Sequence, residues 1–423
     1  MLLTEFVEFI FVYVFFYPLC MSYLWMFGAA MYYARYEFRK PGHDAPPVFA
    51  DPPLVSILVP CFNEAERISE CIDQLARLEY PNYEVLAIND GSSDNTGEVL
   101  ERLAEQYSFM RVLHLASNQG KATGLNTGAV AARGQFIVCI DGDALLDRHA
   151  ISWLMFHFLS SPRVGAVTGN PRVRTRSTLI GRIQVGEFSA MIGLLKRAQR
   201  IYGRLFTVSG VCSAFRKSAL HRVGYWNPAT QTEDIDVSWR LQIAHWDIRF
   251  EPRAICWTLM PETLKGLMRQ RLRWAIGGGE AVKTYFRQVA TWKCRRMWGI
   301  YVEYMMSVFW AYCMLFVILV WLLQPFFSFL SGLPSVPWIP GWQGVLLGFT
   351  CMLQFGVSMF FDRKYDFELF RSWLFTIWYP VAYWTLNCGI SIVAFPKAMF
   401  GKKVRQGRWH TLDRGIQHSR RTA

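Results

Sequence analysis

"VCIDGDALLD", Val138 to Asp147, is the stretch that decides the architecture. A short apolar run stops at two aspartates, Asp141 and Asp143, with one glycine between them. Apolar runs of this length, bounded by turn residues, read as buried strands. A neutral core has no use for two carboxylates at its rim. Either the strand surfaces there, or its tip faces something cationic.

Working outward, three earlier segments end in a similar way. "LVSILVP" (54–60) runs into Pro60, Asn63 and Glu64, and "EVLAIND" (84–90) ends at Asp90. "RVLHLA" (111–116) leads to "NQGKATGLN", with Asn118, Gly120 and Lys121 just ahead of a helix. Between them Ile68, Ile72, Leu75 and Leu78, then Val99, Leu100 and Leu103, recur at helical spacing. Strands alternating with helices predict βαβ units and a mostly parallel sheet. Ligands in such sheets bind at the carboxyl ends of the strands. Taken singly, Asp90 reads equally well as a turn former, Lys121 as a solvated cation, and Asp141-Gly142-Asp143 as a plain turn. Their coincidence at one sheet edge favours a site. A carboxylate pair suits a hard divalent cation that also holds substrate phosphates.

Two later motifs add to this. "QTEDIDVSWRL" places Glu233, Asp234 and Asp236 at a helix start, where acids are also favoured by the helix dipole alone. "LKGLMRQRLRWAIGGGE" places Gln270, Arg273 and Trp274 on a helical segment. Its plain alternative is a basic helix lying on lipid.

The chain has 423 residues, is 52% hydrophobic and 18% charged, and carries a formal net charge of +13. That is too apolar for an ordinary soluble enzyme and too charged for a wholly embedded protein. The positive excess suits an anionic membrane surface, nucleic acid or phosphorylated substrates. The cysteines form no CxxC pair and no zinc spacing, so reduced thiols are expected.

Phe9 to Ala34 is uncharged, preceded by Glu5 and Glu8 and followed by Arg35, Arg39 and Lys40. It is long enough to cross a bilayer. The charge order predicts an anchor whose following segment is cytoplasmic. Tyr304 to Phe361 holds room for two spans, broken by a proline-rich external turn over 324–341. Asp362 to Arg371 is a charged loop, expected inside. Ser372 to Pro396 either spans, leaving the basic tail outside, or is broken around Pro380; charge bias favours the second. The expected division is an anchor over 1–40, a catalytic domain over 41–296, a membrane region over 297–396 and a basic tail over 397–423. Two interfacial helices are expected at about 177–203 and 262–287. The first is expected to lay Arg182, Lys196, Arg197 and Arg200 on the lipid. Arg172, Arg174 and Arg176 form a basic cluster, suited either to phosphates or to lipid head groups.

In the order "CFNE", "NDGSSD", "NQGKA", "CIDGDALLD", "TEDID" and "QRLRW", the chain resembles the processive, membrane-bound, inverting glycosyltransferases of family 2, which include cellulose, chitin and hyaluronan synthases. The longer strings "CIDGDALLDR", "VGAVTGNPRVRTRST", "RIYGRLFTVSG" and "MPETLKGL" narrow the resemblance to the branch that builds β-1,6-linked poly-N-acetylglucosamine, a biofilm exopolysaccharide.

The resemblance implies an α/β GT-A fold, Rossmann-like, with transmembrane helices, in the inner membrane with its catalytic domain cytoplasmic. It implies a UDP-GlcNAc donor, a growing polysaccharide acceptor, and Mg²⁺ or Mn²⁺ held by Asp143 with Asp141. Pro60, Asn63, Glu64, Asp90, Lys121 and Asp141 would bind the donor, Asp90 on its uridine side. Asp234 would be the general base. Glu233, Gln270, Arg273 and Trp274 would meet the acceptor and the diphosphate. A small membrane accessory subunit and control by cyclic di-GMP are implied as well, with membrane lipids as surroundings and no nucleic acid. The alternatives are a synthase of a related polymer, or a transferase onto a lipid phosphate, against which Gln270-x-x-Arg273-Trp274 argues. A nucleotide-binding receptor without chemistry is disfavoured by the intact Asp143 and Asp234.

Overall fold

The computed structural model describes residues 2–327 and 341–401. The elements run α1 (Leu2–Tyr36), β1 (Val55–Cys61), α2 (Ile68–Leu75), β2 (Tyr83–Asn89), α3 (Thr96–Gln106), β3 (Met110–His114), α4 (Lys121–Ala131), β4 (Phe136–Ile140), β5 (Leu145–Leu146), α5 (Ala150–Ser160) and β6 (Val164–Val173). Then come α6 (Leu179–Phe188), α7 (Leu195–Tyr202), β7 (Cys212–Arg216), α8 (Lys217–Val223), α9 (Glu233–Ile243), β8 (Asp247–Thr258) and α10 (Leu264–Val289). The last three helices are α11 (Trp298–Leu323), α12 (Trp342–Asp362) and α13 (Trp384–Phe400).

One eight-stranded sheet, in the order β3-β2-β1-β4-β7-β6-β8-β5, organises the catalytic half. The β3-β2-β1-β4 half is parallel, as the alternation of strands and helices requires. β7 runs antiparallel to both β4 and β6, and β6 is parallel to β8. Successive strand residues face opposite sides. Val55, Ile57 and Val59 therefore pack with Ile72, Leu100 and Trp153 of α2, α3 and α5. Leu58, Leu86 and Ile88 pack on the other side with Leu125, Leu220 and Val237 of α4, α8 and α9. The sequence reading missed β6, β7 and β8, whose segments mix polar residues, Gly and Pro into an otherwise buried pattern.

Among the described residues, three helices are long and apolar enough to cross a membrane: Glu5–Tyr36, Trp292–Leu323 and Trp342–Asp362. The segment after α12 has no continuous α-helix at first. Leu369–Trp378 is a 3₁₀-helix and Tyr379–Tyr383 a π-helical turn carrying Pro380, and only then does α13 begin. α13 lies across α11: Trp384 meets Trp310, the Cys388 thiol meets the Ala311 carbonyl, and Tyr312 donates to Ile392. Moving two turns along α13 thus stays at one level of α11. Its far end touches the catalytic half, where Lys283 donates to the Met399 carbonyl. The proline-rich turn lies almost wholly outside the described residues, and so does the tail from 402 onward.

Two expectations are corrected. α7 does not lay its basic residues on lipid. It packs against α1, and Lys196 and Arg197 are 6% and 0% exposed. The arginine cluster is not open to phosphates. Arg172 pairs with Asp362 at 2.6 Å, Arg176 with Asp366 at 2.5 Å, and Arg174 with Glu70 at 2.9 Å. Arg197 is held by Glu37 at 2.6 Å and by Asp362 at 2.8 Å. Net charge cannot reveal which cations are spent on buried carboxylates, so both segments read as surface.

Candidate active site

The parallel half of the sheet delivers its polar residues to one edge. The β1 end turns through Asn63, whose φ of 53° leaves the strand direction. Its side-chain oxygen accepts the Ser93 N–H at 2.9 Å, tying the ends of β1 and β2 together. Asp90, wholly buried, accepts the N–H groups of Gln119 and Gly120, each at 2.8 Å. Gly120 has φ +88°, a conformation that glycine adopts without strain. Asp90 thereby moulds the loop that launches α4 and Lys121. Burial raises its carboxyl above the ordinary range, and the two N–H donors only partly offset this.

Lys121 reaches across to the β4 tip. Its Nζ donates to Asp141 at 2.5 Å and to the Gly210 carbonyl at 3.2 Å, with Glu233 at 3.6 Å. Burial opposes its charge, but Asp141, Glu233 and Asp234 outweigh burial and raise its pKa. Asp143, two residues beyond Asp141, is 5% exposed and lines the same cavity as Lys121.

Asp234 stands in the first turn of α9, and α10 holds the entry to that turn. Arg273 donates to the Gln231 carbonyl at 3.2 Å, and Gln231 N–H donates to Glu280 at 3.2 Å. A Cβ on Gly277 would stand 2.0 Å from Thr232 Oγ1, so only glycine lets α10 lie this close. Asp236, grouped with Asp234 in the sequence, faces elsewhere: it accepts from Tyr285 at 2.6 Å and pairs with Arg240 at 2.6 Å. Asp234 is raised to about 6, first by burial and then by Glu233, against the pull of Lys121 and Arg273.

These residues share one cavity of about 890 Å³. Lys121, Asp141, Asp143, Glu233, Asp234, Gln270, Arg273 and Trp274 all line it. Pro60, Asn63, Glu64 and Asp90 do not; they lie at the neighbouring strand ends behind Lys121. Gln270 is 8% exposed and its side-chain oxygen has no protein partner. Trp274 is braced: the Arg271 guanidinium lies 4.4 Å from its ring centroid and is itself paired with buried Glu187 at 2.6 Å. The cavity then continues between the long helices. Tyr17 and Trp25 of α1, Glu303 and Ser307 of α11, and Asn387 and Ser391 of α13 line its far end.

Sequence reasoning missed Lys196, Glu187, Arg271 and Glu303. The first two looked like parts of an amphipathic helix. Arg271 sits inside the Gln270–Trp274 motif but was assigned no task. Glu303 sits one residue before an uncharged stretch, a signal that was available, since a carboxylate in a membrane helix marks a pathway by default.

Among the described residues, no three His, Cys, Asp or Glu side chains converge as a ready-made metal cage. The donor set nevertheless fits a hard divalent ion. Asp141 and Asp143 supply oxygen at one strand tip, and Mg²⁺ is typically held by one or two carboxylates plus substrate phosphates.

Comparison with known proteins agrees with this geometry. Residues 52–277 match the family described as "Glycosyltransferase like family 2". A poly-β-1,6-N-acetyl-D-glucosamine synthase of Staphylococcus epidermidis is 37% identical over 96% of this chain and 98% of its own. The synthase of the same name from Staphylococcus aureus strain COL is 36% identical over 95% and 97%. Among solved structures, a mannosyltransferase of Pyrobaculum calidifontis, in complex with GDP-Man and Mn²⁺, superposes with a TM-score of 0.61 at 19% identity. That superposition covers 94% of this chain and 99% of the other. It shows the shared GT-A fold.

Proposed function

The chain belongs to glycosyltransferase family 2, and from that premise we propose that it polymerises N-acetylglucosamine from UDP-GlcNAc into β-1,6-linked poly-N-acetylglucosamine. Relatives that bear this activity in their names align over nearly the full length of both chains. The observation that carries the reading is the cavity: carboxylates and Lys121 in one part, and in another a mostly apolar extension between α1, α11 and α13 that carries Glu303, Ser307, Asn387 and Ser391. A soluble transferase needs only the first part. A synthase that feeds its product into the membrane needs both.

The roles follow from position. Asp90 shapes the Gln119–Lys121 loop against the uridine side of the donor, with Pro60, Asn63 and Glu64 beside it. Lys121 and Arg273 offer positive charge to the diphosphate. Asp141 and Asp143 would hold Mg²⁺ or Mn²⁺, which when bound stabilises the charge developing on the leaving UDP. Asp234 takes the proton of the acceptor hydroxyl, and burial has raised it towards neutrality, where a general base works best. Attack by that oxygen on the anomeric carbon is a single displacement and needs no protein nucleophile. Glu233 is placed beside Asp234 and Lys121, where it tunes both. Trp274 presents its ring to the terminal sugar, and Gln270 supplies the unpartnered acceptor next to it.

The long apolar helices support a location in a plasma membrane. Arg35, Arg39 and Lys40 directly follow α1 and precede the catalytic domain, and this charge bias supports a cytoplasmic side for that domain. α13 crosses α11 and its last turn meets the catalytic half, which supports the broken rather than the spanning reading of 372–396.

The test is direct. Membranes containing the chain are supplied with UDP-GlcNAc and Mg²⁺ or Mn²⁺, with and without candidate small membrane partners, and the product is digested with linkage-specific hydrolases. A polymer cut by a β-1,6-N-acetylglucosaminidase is expected. A β-1,4 polymer, or a single sugar on lipid, overturns the reading.

A further inference from the structure

Lys196 is a buried cation in the cavity wall that the mechanism above leaves unused. It stands at the start of α7, and its neighbour Arg197 points the other way, into the pair with Glu37 and Asp362. Lys196 has no carboxylate partner among the described residues. Its Nζ donates to Thr168 Oγ1 at 3.0 Å. An ammonium carries three N–H donors, and burying its charge without an acid is costly unless a ligand supplies acceptors.

The surroundings say which ligand. Thr168 Oγ1 also accepts the Ser209 N–H at 2.9 Å. The next residue, Gly210, offers its carbonyl to Lys121 at 3.2 Å, and a Cβ built there would stand 3.3 Å from Asp234 Oδ2. The Ser209–Gly210 step therefore has Thr168 and Lys196 on one side and Lys121 and Asp234 on the other. Lys121 is taken by Asp141, and Arg273 spends a donor on Gln231. Arg271 of the same wall also keeps Nε and Nη1 unpartnered, but its charge is met by Glu187 at 2.6 Å; the Lys196 ammonium meets one neutral oxygen and keeps its other donors uncommitted.

We propose that Lys196 is a further catalytic residue, whose N–H groups hold the acceptor's attacking oxygen beside Asp234. The proposal rests on the synthase reading above. In the step, the acceptor O–H proton passes to the Asp234 carboxylate and the oxygen–anomeric carbon bond forms. The bond from that carbon to UDP breaks, with its electron pair leaving on UDP. Lys196 keeps its proton throughout and stabilises the negative charge that builds on the oxygen.

The titration of the pair is consistent with this. Burial pushes the Lys196 ammonium down to about 8, while Asp234 and the Cys212 thiol of β7 hold it up. Asp234 in turn faces Glu233 on α9, Lys121 on α4, Arg273 on α10 and Lys196 on α7.

The experiment uses the full chain in membranes, with Lys196→Met and Lys196→Arg, and measures polymer synthesis from about pH 5 to about pH 9 together with UDP affinity. Met matches the lysine stem in a dry wall, and unchanged UDP affinity reports an intact fold. For Lys196→Met, a loss of about 10²-fold in kcat is expected, the scale of one oxyanion donor. Its UDP affinity stays unchanged and its alkaline limb disappears. Its acid limb moves up, because a cation that favoured the Asp234 carboxylate is gone. Lys196→Arg recovers at least about tenfold over Lys196→Met and moves the alkaline limb beyond the range measured. A Lys196→Met protein with wild-type rate and pH profile overturns the proposal. So does one that loses UDP affinity in parallel, which would make Lys196 a donor ligand or a fold support. A wild type that transfers no sugar to any acceptor overturns the synthase reading and this proposal with it, and the control separates that failure from the others.

Discussion

The base role proposed for Asp234 makes a prediction that its plain alternative, a helix cap, does not share. Asn is as good a cap as Asp, so a purely structural Asp234 predicts an active Asp234→Asn protein. As a base it predicts a fall of about 10² to 10⁴-fold in polymer synthesis, with UDP-GlcNAc affinity retained. The elevated carboxyl, raised to about 6 by burial and Glu233, also sets the acid limb. Above pH 6 the base is ionised; below it the rate falls about tenfold per pH unit. A rate constant down to pH 4.5 would remove Asp234 from the chemistry. Trp274 and its brace form a second residue-scale case. Arg271→Met removes the guanidinium from the indole face and leaves Glu187 buried without a partner. Shorter product with unchanged donor affinity is expected, measured by chain-length analysis of product made from labelled UDP-GlcNAc.

At the scale of elements, the approach of α10 to the start of α9 decides where Asp234 points. Gly→Ala inside a helix ordinarily adds about 1 kcal/mol of stability. Gly277 should invert that sign, because its Cβ would meet Thr232 at 2.0 Å. Overpacking of this kind costs about 1–3 kcal/mol. Gly277→Ala should therefore lower the thermal midpoint and the rate together, and Thr232→Gly in the same chain should restore both. A Gly277→Ala protein that is more stable and fully active would show that the two elements are free to separate. The same clamp explains why the run of glycines in "AIGGGE" is not a helix break. α10 continues through it to Val289, because tight packing on one face offsets the low propensity.

At the scale of the whole molecule, a buried ionic hub joins the long helices to the sheet. Arg197 bridges Glu37, after α1, and Asp362, at the end of α12, while Arg172 of β6 shares Asp362. Removing one partner of a buried pair strands the other and costs about 3–5 kcal/mol. Arg197→Met should accordingly lower the thermal midpoint in detergent by several degrees, whereas Arg371→Met, in an exposed pair, should leave it unmoved. Equal midpoints would mean that the hub adds no stability. The path of α13 gives a second whole-molecule test. Phe400 is 88% exposed, and Phe400→Cys in a Cys20→Ser chain should react with an impermeant maleimide from the cytoplasmic face of oriented vesicles. Labelling only from the opposite face would make α13 a true span.

The sequence by itself determined the class of fold, the sheet edge that carries the polar residues, and many of the residues that line the cavity. Strand and helix periods are local, and the motif residues sit at strand ends whose position follows from βαβ geometry. Asp141, Asp143, Lys121, Asp234 and Trp274 were legible because each combines a polar type with a fixed place beside an apolar run. Burial and pairing over long separations were not legible. Whether Arg172, Arg197 or Lys196 meets a carboxylate, a lipid or a cavity depends on partners as far away as Asp362, which no local pattern encodes. The same holds for α13, whose composition leaves its path open and whose contacts lay it across α11 and against α10. Tertiary packing decides such cases because a buried charge is stable only where its partner has been brought.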